Sequence, residues 1–375
     1  MKTKILSIAS LLLICYMSIS AQEDKVSSFT LEEAKAYALT HNTQVNNSEL
    51  DRLRAQKDVK ETLASGLPQV NAEIQGQKNF DIRTNVISFQ FPGQPEPQKS
   101  EVKFGTDYNL EASVTATQLI FDGTFFMGLR ASKTYVDLSK KQFQQTTRNT
   151  KVKITKAYYS CLVTGRNLEI LRKNVEQVEQ NLYETKEMYK SGFVEELDVD
   201  RLRLTLQNLK NQVSSVKREQ QVSRKLLKFQ MGYPIKDSII LKDDLNTKLP
   251  DLKEKRAIPQ DFDPKKRLEF QTLDVREKLA DLNKKRYSAG YLPKINAFAT
   301  HLQNAQRNEF NFFEGDEDWF PATYAGLSIS IPIFDGFRKS AQIQKAKIDI
   351  KKIQNQKENL KQSIWLEVNR ARKSY

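Results

Sequence analysis

The sequence predicts a mainly α chain with membrane β-strands: long antiparallel helical hairpins joined to four strands that one chain cannot close into a barrel. Three observations predict it. A helix–strand–strand–helix plan occurs twice, heptad spacing runs through the long helices, and short segments alternate apolar and polar side chains.

The N-terminus comes first. Lys2 and Lys4, an apolar run from Ile5 to Met17, and Ser18, Ser20 and Ala21 before polar Gln22 read as a secretory signal over residues 1–21. Ile14 precedes Cys15 where a lipoprotein signal takes a small residue, which argues against lipid attachment. Loss of the signal leaves Cys161 as the one cysteine, so no disulfide forms within the chain, and beside Leu162 it reads as a small apolar filler. The formal charge of +14 falls to about +12 without Lys2 and Lys4. An exported chain does not meet cytoplasmic nucleic acid, and the basic residues alternate with acidic ones as on solvated helix faces, so no nucleic-acid partner is expected. After Met17 no apolar stretch approaches the roughly 20 residues a membrane helix needs. Any crossing must use strands.

The repeat sets the organisation. Gly66-Leu67-Pro68-Gln69-Val70-Asn71-Ala72 returns as Tyr291-Leu292-Pro293-Lys294-Ile295-Asn296-Ala297, an offset of 225, and Leu119-Ile120-Phe121-Asp122-Gly123 returns as Pro332-Ile333-Phe334-Asp335-Gly336, an offset of 213. The loop between these anchors is therefore 12 residues shorter in the second half. The expected divisions are 1–21 signal, 22–232 first repeat, 233–264 connector and 265–375 second repeat, incomplete.

In the first repeat Thr30 and Glu33 form a capping box, Phe29 can staple against Ala34, and one helix is expected to about Ser65. Pro68 stops it, and Val70, Ala72 and Ile74 alternate with polar neighbours as a strand. After a loop turned by Pro92, Gly93, Pro95 and Pro97, a single strand is expected over 102–116, with Val102, Phe104, Tyr108, Leu110, Ala112, Val114 and Ala116 on one parity. At roughly 3.3 Å per residue it spans about 50 Å, more than a hydrocarbon core of about 30 Å. Asp122-Gly123 ends it and opens a long helix. From Leu168 the seam is Leu171, Val175, Val178, Leu182, Thr185 and Tyr189; beyond Ser191-Gly192 it resumes at Leu202, Leu206, Leu209, Val213, Val216, Gln220, Ser223 and Leu227. The two stretches are expected to pair as an antiparallel hairpin with Gly192 at its tip.

The connector carries Pro234, Pro250, Pro259 and Pro264 around Ile239-Ile240-Leu241. A helix over about 265–288 follows, with Leu268, Val275, Leu279 and Leu282, then Pro293, a strand, a loop, and a strand with Ala325, Leu327, Ile329, Ile331 and Ile333 on one parity. Trp319, Phe320 and Tyr324 suit either a membrane interface or loop packing. The last helix ends at Tyr375, 40 residues past Asp335, so by repeat arithmetic a second tip and return helix, roughly 70 residues, are expected beyond it.

Four strands in lipid leave open edges, each unsatisfied backbone group costing several kcal/mol, so copies must associate: two would give eight strands and three twelve. The residues leave that choice open. The duplicated order of Phe29-Thr30-Leu31-Glu32-Glu33-Ala34 with Asn42, Leu67-Pro68 and Leu292-Pro293 before strands, Asp122-Gly123 and Asp335-Gly336 after them, and Tyr189-Lys190-Ser191-Gly192 with Leu197-Asp198-Val199 resembles the TolC-type outer-membrane efflux family. The resemblance covers nearly the whole mature chain. It implies a homotrimer whose twelve-stranded barrel in outer-membrane lipid continues as a helical barrel through the periplasm. The implied function is passive conduction in a tripartite efflux or type I secretion system, with a periplasmic adaptor and an inner-membrane pump as partners. Ser191, Gly192 and Phe193 would meet the adaptor, and Asp198 would lie where tip helices are linked shut. The bare physical reading of those residues is a glycine turn and a carboxylate favoured by the helix dipole. Pro68 and Pro293 mark the helix-to-strand junctions, and Asp122, Gly123, Asp335 and Gly336 the strand-to-helix turns.

No catalytic, cofactor or metal site is expected: His41 and His301 stand apart, and no phosphate loop or nucleophile motif is present. The alternative is a periplasmic adaptor or an exported coiled-coil structural protein, which also joins a signal to long heptads. A strand pair before each long helix favours the channel.

Overall fold

The computed structural model describes residues 27–90, 98–245, 262–315 and 318–373. The expected signal, the Pro92–Pro97 turns and positions 246–261 of the connector lie outside these residues. The elements are β1 (Ser27–Phe29), α1 (Leu31–His41), α2 (Thr43–Ala64), β2 (Gln69–Lys78), β3 (Thr84–Phe89), β4 (Gln98–Lys103), β5 (Tyr108–Phe121), α3 (Gly123–Lys190), α4 (Glu196–Met231), β6 (Ile239–Leu241), α5 (Leu268–Ala289), β7 (Lys294–Arg307), β8 (Phe320–Ser330) and α6 (Arg338–Lys373). Two compact units divide the chain: Met1–Arg52 with Lys140–Asp263, and Leu53–Ser139 with Pro264–Tyr375.

In the first unit the expected capping box is present: Thr30 Oγ1 accepts from Glu33 N–H at 3.3 Å and Glu33 Oε2 accepts from Thr30 N–H at 2.8 Å. The single helix expected to Ser65 is two. Asn42 divides them because it caps both: its N–H donates to Ala38 O at 2.9 Å, closing α1, and its Oδ1 accepts from Gln44 N–H at 2.9 Å and Val45 N–H at 3.1 Å, opening α2. Its Nδ2 also donates to Gln230 O at 2.8 Å, fixing the joint against the end of α4. The core gathers Leu31, Ala34 and Ala38 of α1, Ile154, Tyr158 and Cys161 of α3, Leu227 and Met231 of α4, and Tyr233 and Ile239. Phe29 packs edge-on to Tyr37 and Tyr233 at 5.5 and 5.7 Å. Tyr158 lies inside this cluster, its hydroxyl donating to Phe29 O at 2.9 Å, and burial pushes its pKa well up. β1 pairs in parallel with β6, and Leu31 N–H donates to Asp243 Oδ2 at 2.8 Å, so the start and the connector of the first repeat are tied together.

The α3–α4 hairpin follows the predicted seam. Leu168, Leu182, Ser223 and Leu227 are buried and the other seam residues half-buried, except Tyr189. Thr164 Oγ1 lies 3.3 Å from Ser223 Oγ, and Lys210 pairs with Glu179 at 2.7 Å, which is an antiparallel register. Cys161 is the buried filler expected.

The second unit holds a four-stranded antiparallel sheet in the order β2-β5-β7-β8. The strand expected over 102–116 is broken: Val102 belongs to β4, which pairs with β3 in a separate ribbon, and Gly105 at φ +143° turns the chain before β5 begins at Tyr108. The two repeats use one hairpin register. Val70 faces Ala116 and Asn71 faces Thr115; at the repeat offsets, Ile295 faces Ile329 and Asn296 faces Ser328. The junctions match too, Leu67 N–H donating to Ala64 O and Leu292 N–H to Ala289 O, each at 3.0 Å. α5 and α6 pack antiparallel through Phe270, Leu282, Ile364 and Val368. Lys357 of α6 sits between Asp274 at 2.6 Å and Glu277 at 2.8 Å, with its ammonium 5.3 Å from the Phe270 ring centre.

Candidate channel wall and hairpin tip

The sheet's two faces differ because side chains alternate along each strand. On one face Val70, Ala72 and Ile74 of β2 lie opposite Ala116, Val114 and Ala112 of β5, and Ile295 and Ala297 of β7 lie opposite Ile329 and Leu327 of β8. On the outer strands these apolar side chains are open, Val70 being 67% exposed, Ile74 76% and Leu327 67%, while Ala112, Ala116, Ile295 and Ala297 of the inner strands are half-buried. A soluble protein hides such a face; here nothing among the described residues covers its β2 and β8 flanks. The other face carries Asn71, Glu73, Gln75, Glu111, Ser113 and Thr115, and Thr115 Oγ1 lies 3.0 Å from Thr300 Oγ1 of β7. β7 alternates least cleanly, placing exposed His301 on the apolar face with Nδ1 2.7 Å from Thr323 Oγ1. β5 and β7 have 14 residues each, about 46 Å at roughly 3.3 Å per residue. Tilted by about 45°, they cross a core of about 30 Å.

The strand-to-helix turns are not identical. Asp122 Oδ1 accepts from Thr124 N–H at 2.7 Å and Phe125 N–H at 3.3 Å, so α3 starts at once at Gly123. A Cβ on Gly123 would lie 2.8 Å from Leu292 Cδ1, which is why glycine stands there. After Asp335, Gly336 and Phe337 both take φ +64°, and α6 starts only at Arg338, with Asp335 Oδ2 accepting from Lys339 N–H at 3.1 Å. Pro68 and Pro293 lie directly before β2 and β7.

At the tip Gly192 has φ +79°, Gly192 N–H donates to Tyr189 O at 3.0 Å and Phe193 N–H to Met188 O at 2.9 Å. That is a Schellman stop, and it requires a left-handed residue. Ser191 Oγ donates to Glu187 O at 3.0 Å. Phe193 is 79% exposed and Leu197 52%, so the tip presents apolar side chains to its surroundings. Asp198 stands in the first turn of α4, 3.7 Å from Arg201.

The sequence carried Asn42 only as part of the family resemblance, without its capping role, and Lys357 and Gly232 were not singled out. The triplet Gly232-Tyr233-Pro234 is a readable helix stop, whereas the Asn42 joint and the Lys357 cluster depend on partners far along the chain. At the loop end of the sheet Arg307 bonds Asn311 and lies 5.2 Å over the Phe312 ring, whose centre is 6.5 Å from Trp319. Trp319 therefore packs within its loop.

No helix among the described residues is long and apolar enough to cross a membrane. The model of the outer membrane efflux protein family matches residues 36–232, more than half of the 375-residue chain. The chain belongs to the outer membrane efflux protein family. It is an outer-membrane channel protein that extends into the periplasm. Among solved structures the fold of this efflux protein is similar to CusC, at TM-score 0.69 and 14% identity over 90% of this chain and 73% of that one. VceC of Vibrio cholerae gives 0.64 and 14%, over 89% and 76%, and the Campylobacter jejuni CmeC channel gives 0.65 and 16%, over 90% and 68%. No curated protein sequence matches the chain.

Proposed function

We propose that this efflux protein works as a homotrimer, three four-stranded sheets closing a twelve-stranded barrel in the outer membrane. It conducts rather than catalyses, passing substrates outward from an inner-membrane pump reached through a periplasmic adaptor, in a tripartite efflux or type I secretion system. The observation that carries this reading is a sheet with an exposed apolar face, a polar opposite face and two edges, β2 and β8, that no strand among the described residues pairs, joined to a long helical hairpin. An open edge in lipid is unsatisfied until a second chain pairs with it.

The tip residues Ser191, Gly192 and Phe193 serve this reading as the adaptor contact, because exposed Phe193 and Leu197 offer an apolar knob on a rigid glycine stop. Asp198 is the candidate closing link, its carboxylate exchanging Arg201 for a partner on another helix. The protein should fractionate with the outer membrane and run in mild detergent as a heat-sensitive species of three protomer masses; a soluble periplasmic monomer would overturn the reading. A photocrosslinker in place of Phe193 should capture a periplasmic hairpin protein in cells. Labelling that stops at this chain alone would remove the tip from the adaptor interface.

A further inference from the structure

The repeats offer more than a count of strands. Adding 225 to a β2 position gives its β7 counterpart, and adding 213 to a β5 position gives its β8 counterpart. The folded chain obeys both offsets, since Gln69 opposite Thr117 recurs as Lys294 opposite Ser330, and Val70 opposite Ala116 as Ile295 opposite Ile329. The β5–β7 ladder is then the seam between one repeat and the next, in a sheet whose outer edges belong to the opposite ends of the same plan.

We infer that β8 of one copy pairs antiparallel with β2 of the next in the register that β5 and β7 make within the chain. This rests on the homo-oligomer proposed above but does not depend on the number of copies. Ala116 faces Ala299 and Phe121 faces Ile295 inside the chain. Transposed by the two offsets, Ile329 faces Ile74 of the next copy and Phe334 faces Val70 of the next copy.

Three observations agree with this register. Ile74 and Ile329 share the exposed apolar face, 76% and 60% exposed, and Phe334 just beyond β8 is 75% exposed; a slip of one residue would set Ile329 against the polar face. The β5–β7 ladder is irregular between Leu119 and Phe121, and the equivalent of Leu119 is Pro332, which lacks an N–H and is tolerated where a ladder bulges. The third observation concerns the collar below the sheet. Inside the chain Gly123 is filled by Leu292, yet its equivalent Gly336 has nothing within 4 Å, while Leu67, the equivalent of Leu292, is 54% exposed. An exposed leucine and an open glycine stand at the two edges where the chain's own ladder has the two in contact, so Leu67 of the next copy is the residue that seats against Gly336.

Directly opposed residues bring their Cβ atoms within disulfide reach, whereas diagonal neighbours do not. In the full chain, Ile74→Cys with Ile329→Cys should give covalent oligomers on mild oxidation in the outer membrane, and Val70→Cys with Phe334→Cys should do the same. Ile74→Cys paired with Leu327→Cys or Ile331→Cys should cross-link far less, and the single variants not at all, since Cys161 is buried. Oligomers that persist under reducing conditions while the shifted pairs link best, or no pair links, overturn the register and leave the oligomer standing. A reduced double variant that is monomeric in the membrane overturns the oligomer itself, and the register with it.

Discussion

Gly232 is held by two independent constraints: it takes φ +72° to end α4, and a Cβ there would collide with the carbonyl of His41. The close approach exists because the Asn42 joint lays the end of α1 against the end of α4. Gly232→Ala should therefore destabilise the first unit by more than the roughly 1 kcal/mol a left-handed alanine costs alone, seen as a lower midpoint in urea. Gly192→Ala should cost about 1 kcal/mol, because the same left-handed turn there has open space around it. Tyr158 makes a different test. Tyr158→Phe keeps the ring but leaves the Phe29 carbonyl with the Lys242 N–H alone, an expected loss of about 1 kcal/mol that loosens β1 first, readable as faster amide exchange at Ser28 and Phe29.

Among the elements, the α5–α6 pair carries an acid-sensitive contact at Lys357 beside its apolar seam. The Lys357 hydrogen bond, then that from Gln354, holds the Glu277 carboxyl below the ordinary glutamate value. A carboxylate depressed in the folded state stabilises the fold above its unfolded pKa and loses that contribution as pH falls through the folded one. The helix pair should accordingly hold constant stability from neutrality down to about pH 5 and weaken below ~4.3, the unfolded glutamate value, as followed by helical ellipticity in fixed urea. Lys357→Met should remove most of that acid sensitivity and leave Asp274 and Glu277 facing each other, at a cost of about 1–2 kcal/mol at pH 7. If the variant kept the full acid slope, Glu277 would not be its source.

For the whole molecule, the two faces of the sheet make opposite predictions for one substitution. Val114 stands mid-strand on the exposed apolar face and Ser113 on the polar one. Val114→Lys should cost about 2–4 kcal/mol near the bilayer midplane, whereas a lysine on the lumen face costs little and tunes selectivity. Val114→Lys should lower the amount of heat-sensitive oligomer in the outer membrane, and Ser113→Lys should leave it unchanged while altering ion preference in planar bilayers. Equal losses in both would mean that the faces do not meet lipid and water as assigned.

Sequence by itself determined whatever repeats over a few residues. The heptad seam from Leu168 to Leu227, the capping box at Thr30, the glycine stop at Gly192, the alternation in β2, β5 and β8, and the duplicated plan are each visible as spacing, because helix and strand periods are local properties of the backbone. Tertiary structure alone decided the rest. Asn42 becomes a joint only where the end of α4 accepts its amide, and Lys357 gathers Asp274 and Glu277 from across some eighty positions of chain. The break at Gly105 was hidden because β4 continues the apolar parity of β5 while bonding to β3. Nor does any local period say that β5 lies beside β7: Thr115 and Thr300 meet across 185 residues, and such a pairing is chosen by which edges remain unsatisfied once each hairpin has formed.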